Sequence, residues 1–176
     1  MATATSGKVV TGKVRFSFAG QLYVPKQNDQ GVDKFGCSLL IPKTDKDTIA
    51  KMQAANEFIL RQKVSGQPEE FYKSFPKTIH DGDGVRPSDG TAYSKECKGY
   101  WVVSVASNEK PEIVDENLQP MMDKINSGDY GRVSLNAYYF SGKNKGITFG
   151  LNNVMFLERG ERIDGRTDAA TDFGTF

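Results

Sequence analysis

Residues 130–157 constrain the fold more than any other segment, because apolar and polar side chains alternate on both sides of a turn. The segment reads YGRVSLNAYYF, then SGKNKG, then ITFGLNNVMFL. Val133 and Leu135 share one face of the first run, and period-two alternation is typical of half-buried strands. Gly150 and the pair Asn152–Asn153 break the pattern of the second run, which predicts a bulge or a bend. The segment as a whole predicts a long antiparallel hairpin.

Three further segments are predicted strands: VVTGKVRFSF at 9–18, FGCSLLI at 35–41 and YWVVSVA at 100–106. Each is rich in β-branched or aromatic residues and is bounded by Gly, Pro or polar turn residues. The largest side chains on the aliphatic faces of the five strands are expected in the core: Phe16, Phe18, Trp101, Tyr139 and Phe149.

One helix is predicted between the second and third of these strands. Thr44 or Asp45 can cap it, and Ile49, Met52 and Ile59 follow helical spacing. Gly66 and Pro68 end it. A long irregular insertion rich in Gly, Pro, Asp and Ser follows at 65–99.

These elements predict a mostly β protein: a five-stranded OB-type barrel with one main α-helix, the insertion and a flexible acidic C-terminal tail. The barrel domain is expected at 1–160 and the tail at 161–176. The common OB order places its helix after the third strand, so a separate short strand at 22–24 would restore the usual count.

Composition narrows the class of protein. The 176 residues include two cysteines and one histidine, His80, which is too few ligands for a zinc site. We therefore expect no metal and no other cofactor. No apolar run approaches the roughly 20 residues that span a bilayer, so no membrane association is expected. The unpaired spacing of Cys37 and Cys97 fits a reducing cytoplasm, although a disulfide between them stays open.

The net charge is only +1, but its distribution is uneven. Residues 8–43 carry six basic and two acidic side chains, and residues 109–129 carry six acidic side chains and two lysines. Proteins hold single-stranded nucleic acid in two ways: cationic side chains follow the phosphates, and aromatic rings stack on the bases. Side chains of both kinds lie on the faces opposite the aliphatic residues, and they are the candidate DNA-binding residues: Lys13, Arg15, Tyr100, Arg132, Tyr138, Phe140, Lys143 and Lys145.

Other roles stay open for these residues. The three aromatic side chains can instead pack under the insertion or at a dimer contact, and the cations can be ordinary solvated positions. An isolated loop histidine such as His80 is most often simply solvated.

The last sixteen residues are net acidic and end in an aromatic residue. Such a segment can bind a partner's basic pocket through carboxylates and rings, and it can compete with DNA for the protein's own basic groove. The residues expected to do so are Asp168, Asp172, Phe173 and Phe176. A disordered end without a role is the alternative.

Two other functions remain open at this point. One is a non-enzymatic structural or virion interaction protein. The other is a Mg²⁺-dependent nuclease that uses Asp81 and Asp83 of the DGDG turn. Histidine and clustered carboxylates are scarce, so the nuclease is the weakest hypothesis of the three, behind DNA binding and the structural or virion protein.

An ordered series of sequence blocks runs along the chain: GKVRFSF, SLLIPKTD, DGD, GYWVVSVAS, KPEIVD, YGRVSLNAYYF and NKGITFGLNNV. Through these blocks the chain resembles phage-encoded single-stranded-DNA-binding proteins with an OB fold. The resemblance implies sequence-independent binding and protection of single-stranded DNA during phage replication, recombination or repair in the host bacterial cytoplasm. The tail lies outside these blocks, but it resembles the acidic, aromatic-ended tails of other replicative single-strand binders, which implies phage replication proteins as its partners. A monomer and a dimer are both compatible with it, and RNA binding stays open because stacking does not read the 2′-OH.

Overall fold

The computed structural model describes residues 4–142, 145–165 and 173–174. The strands are β1 (Lys8–Val10), β2 (Val14–Ser17), β3 (Lys26–Gln27), β4 (Asp33–Pro42), β5 (His80–Asp81), β6 (Tyr100–Ser107), β7 (Glu112–Val114), β8 (Tyr130–Phe140) and β9 (Gly146–Glu158). The helices are α1 (Lys46–Lys63) and α2 (Glu69–Ser74), and 3-10 turns lie at Ala19–Leu22 and Lys95–Cys97.

Five strands close the predicted OB-type barrel in the order β2, β4, β6, β9 and β8, with β8 pairing back onto β2. The pairing of β6 with β9 is parallel, and the other four pairings around the barrel are antiparallel. In the β8–β9 hairpin Ser134 pairs with Asn153 and Leu135 with Leu151. Asn152 is the extra residue, so the predicted bulge is confirmed. Helix α1 lies between the second and third barrel strands, as its sequence position indicates.

The two parallel strands of the barrel, β6 and β9, are paired at Ala106 and Gly150. They diverge from this point, which leaves a wedge-shaped gap between them. Strand β5 pairs with β6 beside this point, and Lys77 bridges to Ile147 of β9. Part of the 65–99 insertion therefore fills the wedge, and α2 and β5 give that insertion more regular structure than its composition indicates.

The core lies inside the barrel and under α1. Asp45 caps the helix by accepting a hydrogen bond from Thr48 N at 3.1 Å, and Met52 and Ala55 are fully buried. Phe16 and Phe149 are buried as predicted, and burial of such a side chain stabilises the fold by about 1.5–3 kcal/mol. Trp101 and Tyr139 are half-buried against core clusters. Within the described residues, no helix has the length and apolarity to cross a membrane.

Two local predictions are wrong. Residues 22–24 do not form a strand, because the chain turns there in the 3-10 segment Ala19–Leu22. Phe18 is not a core residue, since it is 69% exposed. The predicted first strand is also interrupted at Gly12, where the chain passes the start of α1 and Gly12 N donates to Thr48 Oγ1 at 2.9 Å.

Candidate nucleic-acid interface

The outward face of β2, β4 and β6 carries an open groove of about 940 Å³. Ser17 pairs with Ser38, and Ser38 pairs with Ser104, so three small hydroxyl side chains form a row across the strands. Leu40 and Val102 pair two residues further along and continue the floor. A floor without long side chains leaves room for a flat ligand to lie across the strands.

One wall of the groove begins at Phe18, where the alternation of β2 ends. The φ angle of Phe18 is 54°, and a left-handed backbone costs a bulky residue about 1–2 kcal/mol. The next turn holds this conformation, because Ala19 N donates to Ser127 Oγ at 2.9 Å and Gln21 N donates to Phe18 O at 3.3 Å. The ring consequently faces solvent beside the groove instead of entering the core. Lys26 also lines the groove.

The insertion builds the opposite wall as a small hairpin at 84–93. Val85 bridges to Ala92, and Arg86 N donates to Thr91 O at 2.7 Å. The Arg86 guanidinium lies 5.8 Å from the centroid of the Tyr93 ring, and both side chains line the groove. Burial raises the pKa of the Tyr93 phenol, so this ring stays uncharged at neutral pH. The wall therefore presents one cation and one neutral ring.

Lys43 ties this hairpin to the barrel through a set of contacts that we call the Lys43 clasp (Lys43, Asp81 and Asp83). Its Nζ donates to Asp81 Oδ1 at 2.5 Å and to Asp83 Oδ2 at 2.7 Å, and it lies 4.9 Å from the centroid of the Trp101 ring. These hydrogen bonds from Lys43 lower the pKa of both carboxyl groups. Gly82 is required between the aspartates, because a Cβ there would overlap the carbonyl oxygen of Cys97.

The clasp bears on the nuclease alternative. Asp81 and Asp83, the carboxylates that would hold Mg²⁺, both bind a lysine ammonium group. No cluster of three or more metal-ligating side chains occurs in the part of the chain that the structure describes.

A C-terminal strap at 159–164 closes one edge of the groove. Arg159 Nη1 donates to the carboxylate of Asp129 at 2.6 Å, and Asp129 is only 1% exposed. Further along, Ile163 N donates to Ser127 O at 3.1 Å, and Ile163 lines the groove. The packed chain thus continues past residue 160, where the barrel domain was expected to end.

The candidate residues of the first and third predicted strands, Lys13, Arg15 and Tyr100, do not line the groove, and each already contacts neighbouring residues. Lys13 pairs with Glu158, and its Nζ lies 4.9 Å from the centroid of the Tyr130 ring. Arg15 donates to Gly128 O at 2.9 Å and to the strap at Glu161 O at 2.7 Å. Tyr100 packs, half-buried, against the outward apolar cluster Leu40, Cys97 and Val102.

The other described candidates belong to β8 and to the turn before β9; we call the outward side of these two strands the hairpin face. Arg132 Nε donates to Thr11 O at 2.8 Å. Tyr138 is 45% exposed, and Phe140 lies half-buried against Gly146. Lys145 is exposed, and Lys143 lies outside the described residues. The structure therefore divides the seven described candidates between two surfaces, and none of the seven lines the groove.

Sequence reasoning missed the side chains that form the groove walls: Phe18, Lys26, Arg86 and Tyr93. The available signals were weak, namely the Gly20 that follows Phe18 and the dense turn residues around Arg86. His80 also lines the groove, and burial lowers the pKa of its imidazole, which is therefore neutral at pH 7. In the tail, Phe173 is 75% exposed, whereas Asp168, Asp172 and Phe176 fall outside the described residues.

A closed OB-type barrel with a walled groove across its first strands, an exposed ring and cations at the rim has the features of an oligonucleotide-binding OB fold. A sequence profile described as "Enterobacter phage Enc34, ssDNA-binding protein" matches residues 7–176. The chain belongs to this family of phage single-stranded-DNA-binding proteins.

The chain is also similar to individual proteins, in sequence to one and in fold to others. The chain is 26% identical over 171 residues to protein p50 of Acyrthosiphon pisum secondary endosymbiont phage 1, covering 90% of this chain and 87% of that protein. Its fold is similar to that of the bacteriophage Enc34 single-stranded DNA-binding protein in complex with ssDNA, with a TM-score of 0.72, 21% identity and 90% coverage of both chains. The bacteriophage T7 single-stranded DNA binding protein gp2.5 matches with a TM-score of 0.54 and 15% identity, over 94% of this chain and 93% of that one.

Proposed function

We propose that this chain binds single-stranded DNA in the groove across β2, β4 and β6 without reading its sequence, and protects it during phage DNA replication, recombination or repair. Phe18 carries the proposal. The apolar ring of Phe18 is 69% exposed and is held outward by a left-handed backbone, and a base that stacks on it would remove the contacting face of each ring from water.

The chemistry of the groove fits a sequence-tolerant ligand. Stacking accepts any base, and Lys26 and Arg86 supply the positive charge that phosphates require. The serine row can donate to or accept from any base edge, which favours no single base. Binding of this kind needs no reacting group, and we propose that the protein acts without catalysis.

The deciding experiment is a fluorescence titration with oligo-dT of about 30 nucleotides, the matching duplex and the matching RNA at two salt concentrations. We expect tight binding of single-stranded DNA that weakens as salt rises, because phosphate contacts release counterions. Equal affinity for the duplex would refute the proposal, and equal affinity for RNA would widen its ligand class. Large assemblies in sedimentation without any oligonucleotide shift would support the virion-protein alternative.

We further propose that the protein acts in the host bacterial cytoplasm and that its acidic tail engages phage replication proteins. The strap supports a link between tail and groove, since it brings the chain to the groove edge at Ile163 and Asp164. Removal of residues 165–176 keeps the strap intact, and we expect it to tighten DNA binding and to abolish recruitment of such a partner. Unchanged DNA affinity in this deletion would exclude competition by the tail.

A further inference from the structure

A second concave surface lies away from the groove, on the outward side of β1, β8, β9 and β7. It encloses about 310 Å³. Its apolar lining includes Val10, which is 44% exposed, and Leu118, which is 67% exposed. Leu118 has a φ angle of 63°, a conformation that apolar residues rarely adopt. Exposed contiguous apolar surface in a soluble protein marks an interaction site.

The strand register places two opposite charges across this patch. In one row, Glu112 of β7 pairs with Asn153, Asn153 with Ser134, and Ser134 with Val10 of β1. In the next row, Val114 of β7 pairs with Met155, and Met155 with Arg132. Glu112 and Arg132 therefore occupy one diagonal of the patch, and Val10 and Val114 occupy the other.

We infer that this patch is the interface of a two-fold symmetric dimer of the chain. A two-fold axis close to the Val10–Val114 diagonal brings each end of the other diagonal near the opposite end in the partner copy, within reach of the long side chains of Arg132 and Glu112. Arg132 of one copy then faces Glu112 of its partner, twice per interface, while each valine meets its own counterpart. An isologous interface requires this self-complementarity.

Charge and geometry together indicate that the partner bound at this patch is a second copy of the chain. Arg132 uses Nε for the carbonyl of Thr11, and its other two nitrogens can extend toward a carboxylate. Glu112 in the same patch disfavours a nucleic-acid strand, because carboxylate and phosphate repel. The interface leaves both DNA grooves open, since it uses the hairpin face and not the face of β2, β4 and β6.

Sedimentation equilibrium of the full-length protein without DNA tests this inference. We expect a concentration-dependent monomer–dimer equilibrium. E112R and R132E should each weaken dimerisation at least about tenfold, because like charges then meet twice per interface. The double variant E112R/R132E restores opposite charges and should restore the dimer. A wild-type chain that stays monomeric throughout its soluble range, or single reversals without effect, would overturn the inference.

Two additional variants test whether a loss of dimerisation results from misfolding. L118D changes an exposed turn residue of the patch and should abolish the dimer, with an unchanged circular dichroism spectrum. V32D, at an exposed valine that does not line the patch, should dimerise like the wild type. Binding of a short oligo-dT should survive in L118D, which separates failure of this interface from failure of the DNA groove.

Discussion

The groove face (the outward side of β2, β4 and β6) and the hairpin face belong to one barrel, and both are built from strands of alternating side chains. They differ in surface shape. The groove face has a floor of small side chains between two raised walls. The hairpin face carries only the smaller concavity of about 310 Å³ beside β7 among its described residues, and elsewhere its side chains contact one another, as Asn136 Nδ2 does when it donates to Asn152 Oδ1 at 2.9 Å. Both faces carry aromatic and basic residues, so composition alone does not distinguish them.

The difference originates outside the barrel strands. The groove is walled by the turn after β2, by the hairpin at 84–93 and by the C-terminal strap, and these three segments are far apart in sequence. Strand alternation therefore indicates which side chains point outward, whereas the segments that cross over the barrel decide which outward face becomes a walled groove.

Replacement of Phe18 should separate the two faces most strongly. Phe18→Ala removes the exposed ring, and we expect oligo-dT binding to weaken by about 1–3 kcal/mol, the usual contribution of one stacked base. Fluorescence anisotropy at fixed salt measures the change. Phe18→Trp keeps a stacking surface and should bind nearly as well as the wild type. Wild-type affinity in Phe18→Ala would remove the main support for the groove as the site.

A comparison of two arginines comes next. Arg86→Ala should weaken oligo-dT binding by roughly 1 kcal/mol and reduce the slope of log K against log salt by about 0.7–1, the expected loss of one phosphate contact. Arg132→Ala is the matched change on the hairpin face and should leave the slope unaltered. The opposite result would place the DNA on the hairpin face.

The Lys43 clasp offers a smaller, indirect effect. Lys43→Met removes the cation that both aspartates share, so the hairpin at 84–93 should loosen and oligo-dT affinity should fall a few-fold. The salt slope should not change, because Lys43 positions the wall and does not bind phosphate. Faster proteolysis within 84–93 would report the loosening directly.

Lys51→Met is the control for the clasp. Lys51 pairs with Asp47 on the exposed side of α1, and such surface pairs contribute little to stability. This variant should bind DNA like the wild type. A reduced salt slope in Lys43→Met would instead show that Lys43 itself contacts the phosphate backbone.

The smallest change is expected for Tyr138→Ala. Its ring is partly exposed on the hairpin face and does not line the groove, so oligo-dT binding should weaken by less than about 1 kcal/mol. Phe140→Ala, measured alongside it, tests the neighbouring candidate. A loss equal to that of Phe18→Ala would mean that the DNA continues onto the hairpin face.

The fold was predictable from the sequence because its signals are local. Alternation in β8 and β9, the bulge at Asn152 and the Asp45 cap of α1 each depend on neighbouring residues. Phe18 was not predictable in this way. It continues the alternation of Val14 and Phe16, and only its backbone conformation, held by Ser127 more than a hundred residues away, turns it outward.

The candidate site was predictable only as a type of chemistry. Rings and cations in an OB-type barrel indicate a nucleic-acid ligand, but the position of Arg86 depends on how the insertion folds back. The Lys43 clasp that controls this folding joins residues 38 and 40 positions apart. Contacts at such separations leave no periodic pattern in the sequence.

The strap also makes the protein convenient to label. Both native cysteines are buried, and burial raises the pKa of the Cys37 thiol to about 12, so this thiol reacts poorly with dyes. A single cysteine introduced at the exposed Glu161 would accept a fluorophore selectively and hold it beside the groove. Such a conjugate would be an optical sensor whose emission changes when a ligand enters the groove.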